Sequence, residues 1–161
     1  MSISNHYNIG SKIDIVFATT SLSISQTTAT AATTMDGATI DRTLLARRYF
    51  SVKNAFLASY VAATTAATAT ISLNFQHSSD GTSWDNYSTG TVPTAVSFGN
   101  STAGTTDYDR VQQSVDLRGA RRYVRMQIPA PTYATSSSGQ GVFSGMGVMV
   151  FGGGNELPAT S

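Results

Sequence analysis

The sequence has no cysteine, one glutamate and two histidines. Disulfide bonds, thiolate metal sites and thiol nucleophiles are therefore excluded for these 161 residues. A hydrolytic triad needs a histidine oriented by a carboxylate beside a nucleophile, and neither His6 nor His77 has a supporting motif. The sole glutamate, Glu156, lies near the C-terminal end, and the aspartates stand in turn-like sequence where they commonly cap the backbone. We expect a protein with no enzymatic activity, no cofactor and no metal site.

Charged residues are also scarce, at 12% of the chain, about half the usual share. The formal net charge is only +1, which argues against a nucleic-acid partner. A surface with so little charge gives weak repulsion between molecules, as expected if much of it is covered in an assembly. No window approaches eighteen apolar residues, and the first residues lack a basic start followed by an apolar run. We expect neither a membrane span nor a signal peptide.

Serine and threonine are abundant, at about a quarter of the residues. Threonine is β-branched and suits a half-buried pleated surface, so the composition favours strands. Short alternating segments separated by turn signals predict an all-β antiparallel β-sandwich, of the jelly-roll kind, with an extended N-terminal arm. We assign residues 1–11 to that arm, 12–154 to a single β-sandwich domain and 155–161 to a polar tail.

The most informative stretch runs from Ile71 to Ser88. Ile71, Leu73 and Phe75 alternate with polar residues, which is the pattern of a strand that buries one face. Asp80-Gly81 then supplies a residue that tolerates positive φ, so the chain can reverse tightly. The stretch predicts a hairpin of an antiparallel sheet.

Two other segments predict strands, and two are ambiguous. In the segment 121–128, Val124, Met126 and Ile128 would point inward, and a last strand follows from residue 142 to 151. Residues 22–34 are weak as a core strand but acceptable at a sheet edge. Residues 43–50 fit a short helix about as well as a strand that continues through Ser51-Val52.

Four arginines form the sharpest charge feature of the chain: Arg118, Arg121, Arg122 and Arg125. Because the guanidinium fork pairs with carboxylates and stacks on rings, we favour a protein interface over a nucleic-acid site. The N-terminal arm and the edge segment are the other candidate contacts, through Ile3, Tyr7, Ile9, Leu22 and Ile24. Extended arms and edge strands can pair across chains through the backbone alone.

Three segments together resemble the small cement or decoration proteins of tailed bacteriophages. They are the QHSSDGTSWDNY hairpin, the DLRGARRYVRMQI segment and the Gly-rich GVFSGMGVMVFGG strand, and the resemblance covers about half the chain, from 71 to 154. It implies a jelly-roll auxiliary head protein on the outer capsid surface of a virion, which clamps neighbouring major capsid subunits. It also implies a homo-oligomer, dimer or trimer, with no enzymatic activity, cofactor, nucleic acid or membrane.

The alternative function is a carbohydrate-binding or adhesin module. Trp84 and Tyr87 follow the predicted hairpin turn, and aromatic faces at such positions can stack on sugars. The competing structural interpretation is that Trp84 covers the core, since tryptophan buries a large apolar surface wherever its N–H finds a partner.

Overall fold

A computed structural model describes residues 13–26, 33–45, 48–62, 68–87, 95–99, 103–133 and 141–153. In these ranges the regular structure is entirely β-strand, and every strand pair is antiparallel. The prediction of an all-β antiparallel fold is confirmed. The arm 1–11 and the tail 155–161 lie outside the described residues.

The described residues contain twelve strands. They are β1 (Asp14–Gln26), β2 (Met35–Asp36), β3 (Ile40–Asp41), β4 (Ser51–Val61), β5 (Thr68–Ile71), β6 (Asn74–Ser78), β7 (Asp85–Asn86), β8 (Val96–Gly99), β9 (Thr106–Asp116), β10 (Tyr123–Ile128), β11 (Thr132–Tyr133) and β12 (Gly141–Gly152).

One layer of the molecule is a four-stranded sheet in the order β1-β12-β4-β9. The opposite layer has two parts, β2-β10-β6-β7 with β3 also paired to β10, and β11-β5-β8. The two parts belong together because β5 leads into β6 after two residues, and β10 leads into β11 after three. The second break contains Pro129 and Pro131, which cannot donate to a strand ladder.

The strand order is that of a jelly roll once the interrupted strands are merged. Joining β2 with β3, β5 with β6, β7 with β8 and β10 with β11 leaves eight strands in chain order. The first layer then holds strands one, eight, three and six, and the second holds two, seven, four and five. This arrangement is two interleaved Greek keys, and the jelly-roll prediction is confirmed.

Apolar side chains from both layers meet in one core. Val124, Met126 and Ile128 of β10 are all buried, as their alternation predicted, and so are Leu73 and Phe75 of the hairpin. An aromatic group joins the two layers at one end of the core. In it the Phe143 ring lies 4.8 Å from Tyr60, 5.1 Å from Phe98 and 6.3 Å from Tyr133, measured between ring centroids.

The hairpin prediction is confirmed, because β6 and β7 pair across a turn in which Gly81 has a φ of 78°. Over the described part of 43–50 neither a helix nor a strand forms, since the backbone is a turn and irregular, and the strand begins at Ser51. The Asp41 carboxylate accepts hydrogen bonds from the Thr43 amide and hydroxyl, at 2.9 and 2.7 Å. Such a side-chain cap ends β3 and competes with regular structure.

Candidate interaction surface

The outward side of the sheet β1-β12-β4-β9 carries large apolar side chains in solvent. On β4 the buried residues alternate with exposed ones, so Leu57 and Val61 point away from the core. The members of this group are between 37% and 58% exposed: Ile15, Phe17, Leu57, Val61, Val142 and Met146. We name this group the outer apolar face.

The strand register makes the outer apolar face continuous. Leu57 lies opposite Met146, and Val61 lies opposite Val142, so four of the six residues form two cross-strand pairs. On the other side of β12, Phe17 of β1 lies opposite Val148. Cross-strand partners have Cβ atoms about 5 Å apart, so these side chains form one apolar surface.

The exposed apolar area of these six side chains is on the order of 600 Å², at the upper end of the largest patches on typical monomers. Mostly polar side chains follow along β9, where Arg110 lies opposite Leu57 and Gln112 lies opposite Ala55. The same side of β9 also carries Tyr108, which is 76% exposed. An apolar centre with a polar margin on one side is the usual composition of a protein–protein interface.

The sequence contains a signal for this surface within the predicted last strand, β12. In that strand Val142, Met146, Val148 and Val150 take the outward positions and Phe143, Met149 and Phe151 the inward ones. A strand that is apolar on both faces is typical of one covered on both sides. No described segment of the chain covers the outward side of β12.

Each of the four predicted interface arginines is paired with an aspartate. The pairs are Arg118 with Asp116 at 2.5 Å, Arg121 with Asp85, Arg122 with Asp41 at 2.7 Å and Arg125 with Asp36 at 3.0 Å. The cluster is therefore electrically balanced at short range. Surface ion pairs of this kind contribute little to stability, so their main effect here is to hold the guanidinium groups in place.

The Arg122–Asp41 pair has the clearest electrostatic consequence. Hydrogen bonds from Arg122, followed by those from the Thr43 hydroxyl and amide, hold the pKa of the Asp41 carboxyl well below its usual range. A carboxyl whose pKa is lowered by folding stabilises the fold at pH values above its unfolded-state pKa of about 4. This stabilisation is lost as the pH falls through the folded-state pKa.

We expect Asp41→Asn to lower the melting temperature at pH 7, because the amide loses the ionic part of this contact. The deficit should shrink as the pH falls below 4, because the Asp41 carboxyl of the unfolded wild-type chain then takes up a proton while the folded one is still ionised. Thermal unfolding across that pH range measures the effect. Asp109→Asn is the matched control, because Asp109 is exposed and forms no ion pair among the described residues. A pH-independent deficit would contradict this assignment.

Trp84 and Tyr87 have different surroundings. The guanidinium carbon of Arg125 lies 4.3 Å from the centroid of the Trp84 ring, so a cation covers one aromatic face. Tyr87 packs against Phe75 and His77, with centroid distances of 6.1 and 4.6 Å. The Tyr87 ring is therefore part of the packing between hairpin and core.

The surroundings of His77 favour a neutral ring that accepts a backbone hydrogen bond. Burial, then the nearby Arg121 charge, lowers its pKa, which favours the neutral ring. The Arg121 amide donates to the His77 Nδ1 atom at 3.3 Å, and this bond requires an unprotonated nitrogen there.

The remaining predicted contacts have less structural description. Leu22 and Ile24 lie on β1, which forms one edge of its sheet. Ile3, Tyr7 and Ile9 lie outside the described residues.

Within the described ranges, no group of three or more histidine or acidic residues is placed to hold a metal ion. Nor does that part of the chain contain a helix with the length and hydropathy needed to cross a bilayer.

Comparison with known proteins identifies the fold. No protein-family model matches the sequence, and no curated protein does. Among solved structures, the chain superimposes on the structure of infectious bursal disease virus, Gx strain, with a TM-score of 0.52 and 12% identity. That match covers 91% of this chain and 33% of the viral one, so this chain spans about a third of its length.

Two further matches have TM-scores of 0.43. One is the PBSX exported protein XepA, at 16% identity, and the match covers 92% of this chain and 39% of that one. The other is the CBM22-1-GH10 modules of a Clostridium thermocellum xylanase complexed with xylohexaose, at 10% identity, and the match covers 93% of this chain and 28% of that one. At such identities the likeness concerns the fold alone. The viral match agrees with the jelly-roll topology of the strands.

Proposed function

We propose that the protein is a non-enzymatic virion structural protein that binds the outer surface of an icosahedral phage capsid and clamps neighbouring major capsid subunits. The observation that carries this proposal is the outer apolar face, which no described segment of the chain covers. The resemblance of the hairpin and the last strand to phage decoration proteins supports it. The fold shared with a virus structure is compatible with it.

The size of the outer apolar face suits a protein partner. A stable interface buries about 800 Å² on each partner, and the outer apolar face would supply a large part of such an area. Many copies on one shell would multiply a modest contact, and binding free energy would add to the stability of the assembled particle. We therefore take a capsid subunit as the occupant of this face.

The edge of the same sheet offers a second contact. β1 is paired on one side by β12 and is the edge of the described sheet, so its outer backbone groups are available for pairing with another chain. Leu22 and Ile24 on this edge, together with Ile3, Tyr7 and Ile9 of the arm, would extend the clamp to a neighbouring subunit. The paired arginines lie before or in β10 of the other layer, so they would form a contact separate from this sheet.

The carbohydrate-binding alternative has no specific structural support. Arg125 covers one face of Trp84, and Tyr87 packs against Phe75. An aromatic platform for a sugar needs a bare ring face, and Trp84 would have to release Arg125 to provide one on that side.

The proposal is tested by co-sedimentation with capsids of the virus that encodes the chain. We expect the double variant Leu57→Glu/Met146→Glu to lose at least tenfold in affinity, because it places two unpaired charges in an apolar contact. Both positions are exposed, so the fold should survive. Leu44→Glu is the matched control, since Leu44 is 83% exposed and lies away from this face.

Two outcomes would contradict the proposal. Unchanged capsid occupancy of the double variant would exclude the outer apolar face as the capsid contact. Loss of a homo-oligomer in sedimentation velocity, with capsid binding intact, would show that a second copy of the chain covers the face instead.

A further inference from the structure

A cavity of about 390 Å³ lies where the segment after β3 meets the turn between β9 and β10. Four of its eight lining residues are arginines, and none is acidic. The lining residues are Arg42, Thr43, Leu45, Arg48, Tyr49, Arg118, Ala120 and Arg122. We name it the arginine cavity.

Backbone carbonyls hold the first of these arginines in place. The Arg42 guanidinium donates to the carbonyl oxygens of Ala120 at 2.5 Å, Leu117 at 3.0 Å and Arg121 at 3.1 Å. Arg42 therefore ties the β9–β10 turn to the segment after β3. Three neutral acceptors leave the positive charge itself uncompensated.

The charges of the cavity do not cancel. Arg118 is paired with Asp116, and Arg122 with Asp41. Arg42 and Arg48 form no ion pair with a described residue. Burial, then repulsion from Arg48, lowers the pKa of Arg42, although an arginine remains charged at neutral pH. Two positive charges thus share a partly enclosed space, and an anion there would relieve their repulsion.

The walls of the cavity are partly apolar. Tyr49 is buried and packs against Phe151, with 6.1 Å between ring centroids, and Leu45 packs against the same core. The paired guanidiniums keep free donors, because Arg122 uses its Nε and one Nη on Asp41, and Arg118 does the same on Asp116. A ligand in the cavity would therefore contact both guanidinium N–H donors and the apolar side chains of Leu45 and Tyr49.

We propose that the arginine cavity binds a carboxylate of an acidic segment in a protein partner. The guanidinium fork matches a carboxylate in a bidentate geometry, and the Leu45–Tyr49 wall suits the aliphatic stem of a glutamate or a neighbouring apolar side chain. The site goes beyond the proposed capsid role and does not depend on it, because it can be measured with a free peptide.

The probe is an N-acetylated Leu-Glu-Glu peptide with an amidated C-terminus, titrated against the full chain by calorimetry and by NMR of arginine Nε–Hε signals. We expect saturable binding that weakens as salt rises, since the contact is ionic. Arg48→Gln should reduce the affinity for the peptide about tenfold, because the variant loses one pair of charge-assisted hydrogen bonds. Its melting temperature should stay unchanged, because Arg48 is exposed and unpaired among the described residues.

Arg110→Gln is the matched control, since Arg110 is an exposed arginine on β9, outside the cavity lining. Equal losses in both variants would mean a general charge effect and would overturn the proposal. Inorganic phosphate binding as tightly as the peptide would overturn its carboxylate specificity. Binding that appears only after deletion of residues 154–161 would mean that the chain's own tail fills the cavity, which would overturn the assignment to a partner.

Discussion

Gly145→Ala is expected to lower the free energy of unfolding by roughly 3 kcal/mol, because it overpacks the centre of the first sheet. Gly145 faces the core on β12, opposite Ala58 of β4. A Cβ atom at this position would overlap the Leu57 carbonyl oxygen and lie 2.7 Å from the Phe56 ring. Neither obstacle can move easily, since one is backbone and the other is a fully buried aromatic side chain.

Thermal unfolding measures this effect, and a decrease in melting temperature of about 10 °C corresponds to such a loss in a domain of this size. Gly152→Ala is the matched control on the same strand, where an added Cβ would meet its nearest neighbours at 3.9 Å, in ordinary van der Waals contact. We expect the control to melt within about 2 °C of the wild type. Equal melting temperatures for the two variants would show that β12 can shift away from β4.

Phe143→Ala is expected to cost about 3–5 kcal/mol, the usual range for removing a large aromatic side chain from a core. Phe143 is fully buried and contacts three other rings, those of Tyr60, Phe98 and Tyr133. Because Tyr60 lies on β4 and Phe98 on β8, the loss would weaken the attachment of the two layers at this end. Urea unfolding, with the slope held common to both proteins, gives the difference.

Tyr133→Phe is the matched control in the same aromatic group. Burial raises the pKa of the Tyr133 hydroxyl to about 12, and this hydroxyl forms no hydrogen bond with a described residue. Removing an unsatisfied buried hydroxyl and keeping the ring should leave stability unchanged or raise it by about 1 kcal/mol. A destabilisation of Tyr133→Phe close to that of Phe143→Ala would mean that the hydroxyl has a partner and that polar contacts hold this region.

Local patterns were sufficient to predict the elements in which one face is apolar and the other polar. The hairpin around Asp80-Gly81 and the inward residues Val124, Met126 and Ile128 fall in this class. In both, a period of two and a turn signal act within a few residues, so no distant part of the chain is needed to interpret them.

Features set by distant contacts could not be predicted in the same way. The outer apolar face depends on the register of β1, β12 and β4, and Asp14 lies opposite Phe151, far away in sequence. The arginine cavity likewise depends on Arg42 reaching the carbonyl of Ala120. Neither the register nor the Arg42 contact leaves a local pattern, although the apolar residues on both sides of β12 do. The arginine cluster was recognised as such, but its pairing with four separate aspartates was not.

Buried polar residues were a further limit. Asn54 and Gln113 lie opposite each other on β4 and β9 and point into the core. The Asn54 amide and the Gln113 carbonyl oxygen have no hydrogen-bond partner among the described residues. A polar residue at an inward position weakens the apolar–polar alternation on which strand prediction depends, because the sequence pattern indicates that such a residue faces solvent.

The position of β12 in its sheet has a consequence for the order in which the chain can fold. β1 and β4 do not pair with each other; each pairs with opposite sides of β12. During synthesis β1 cannot pair until the distant β12 has left the ribosome. Contacts of such long sequence separation slow folding, and during the delay the apolar residues of β1 and β4 are exposed to other chains. Recombinant yield should accordingly improve at lower temperature or with a chaperone present.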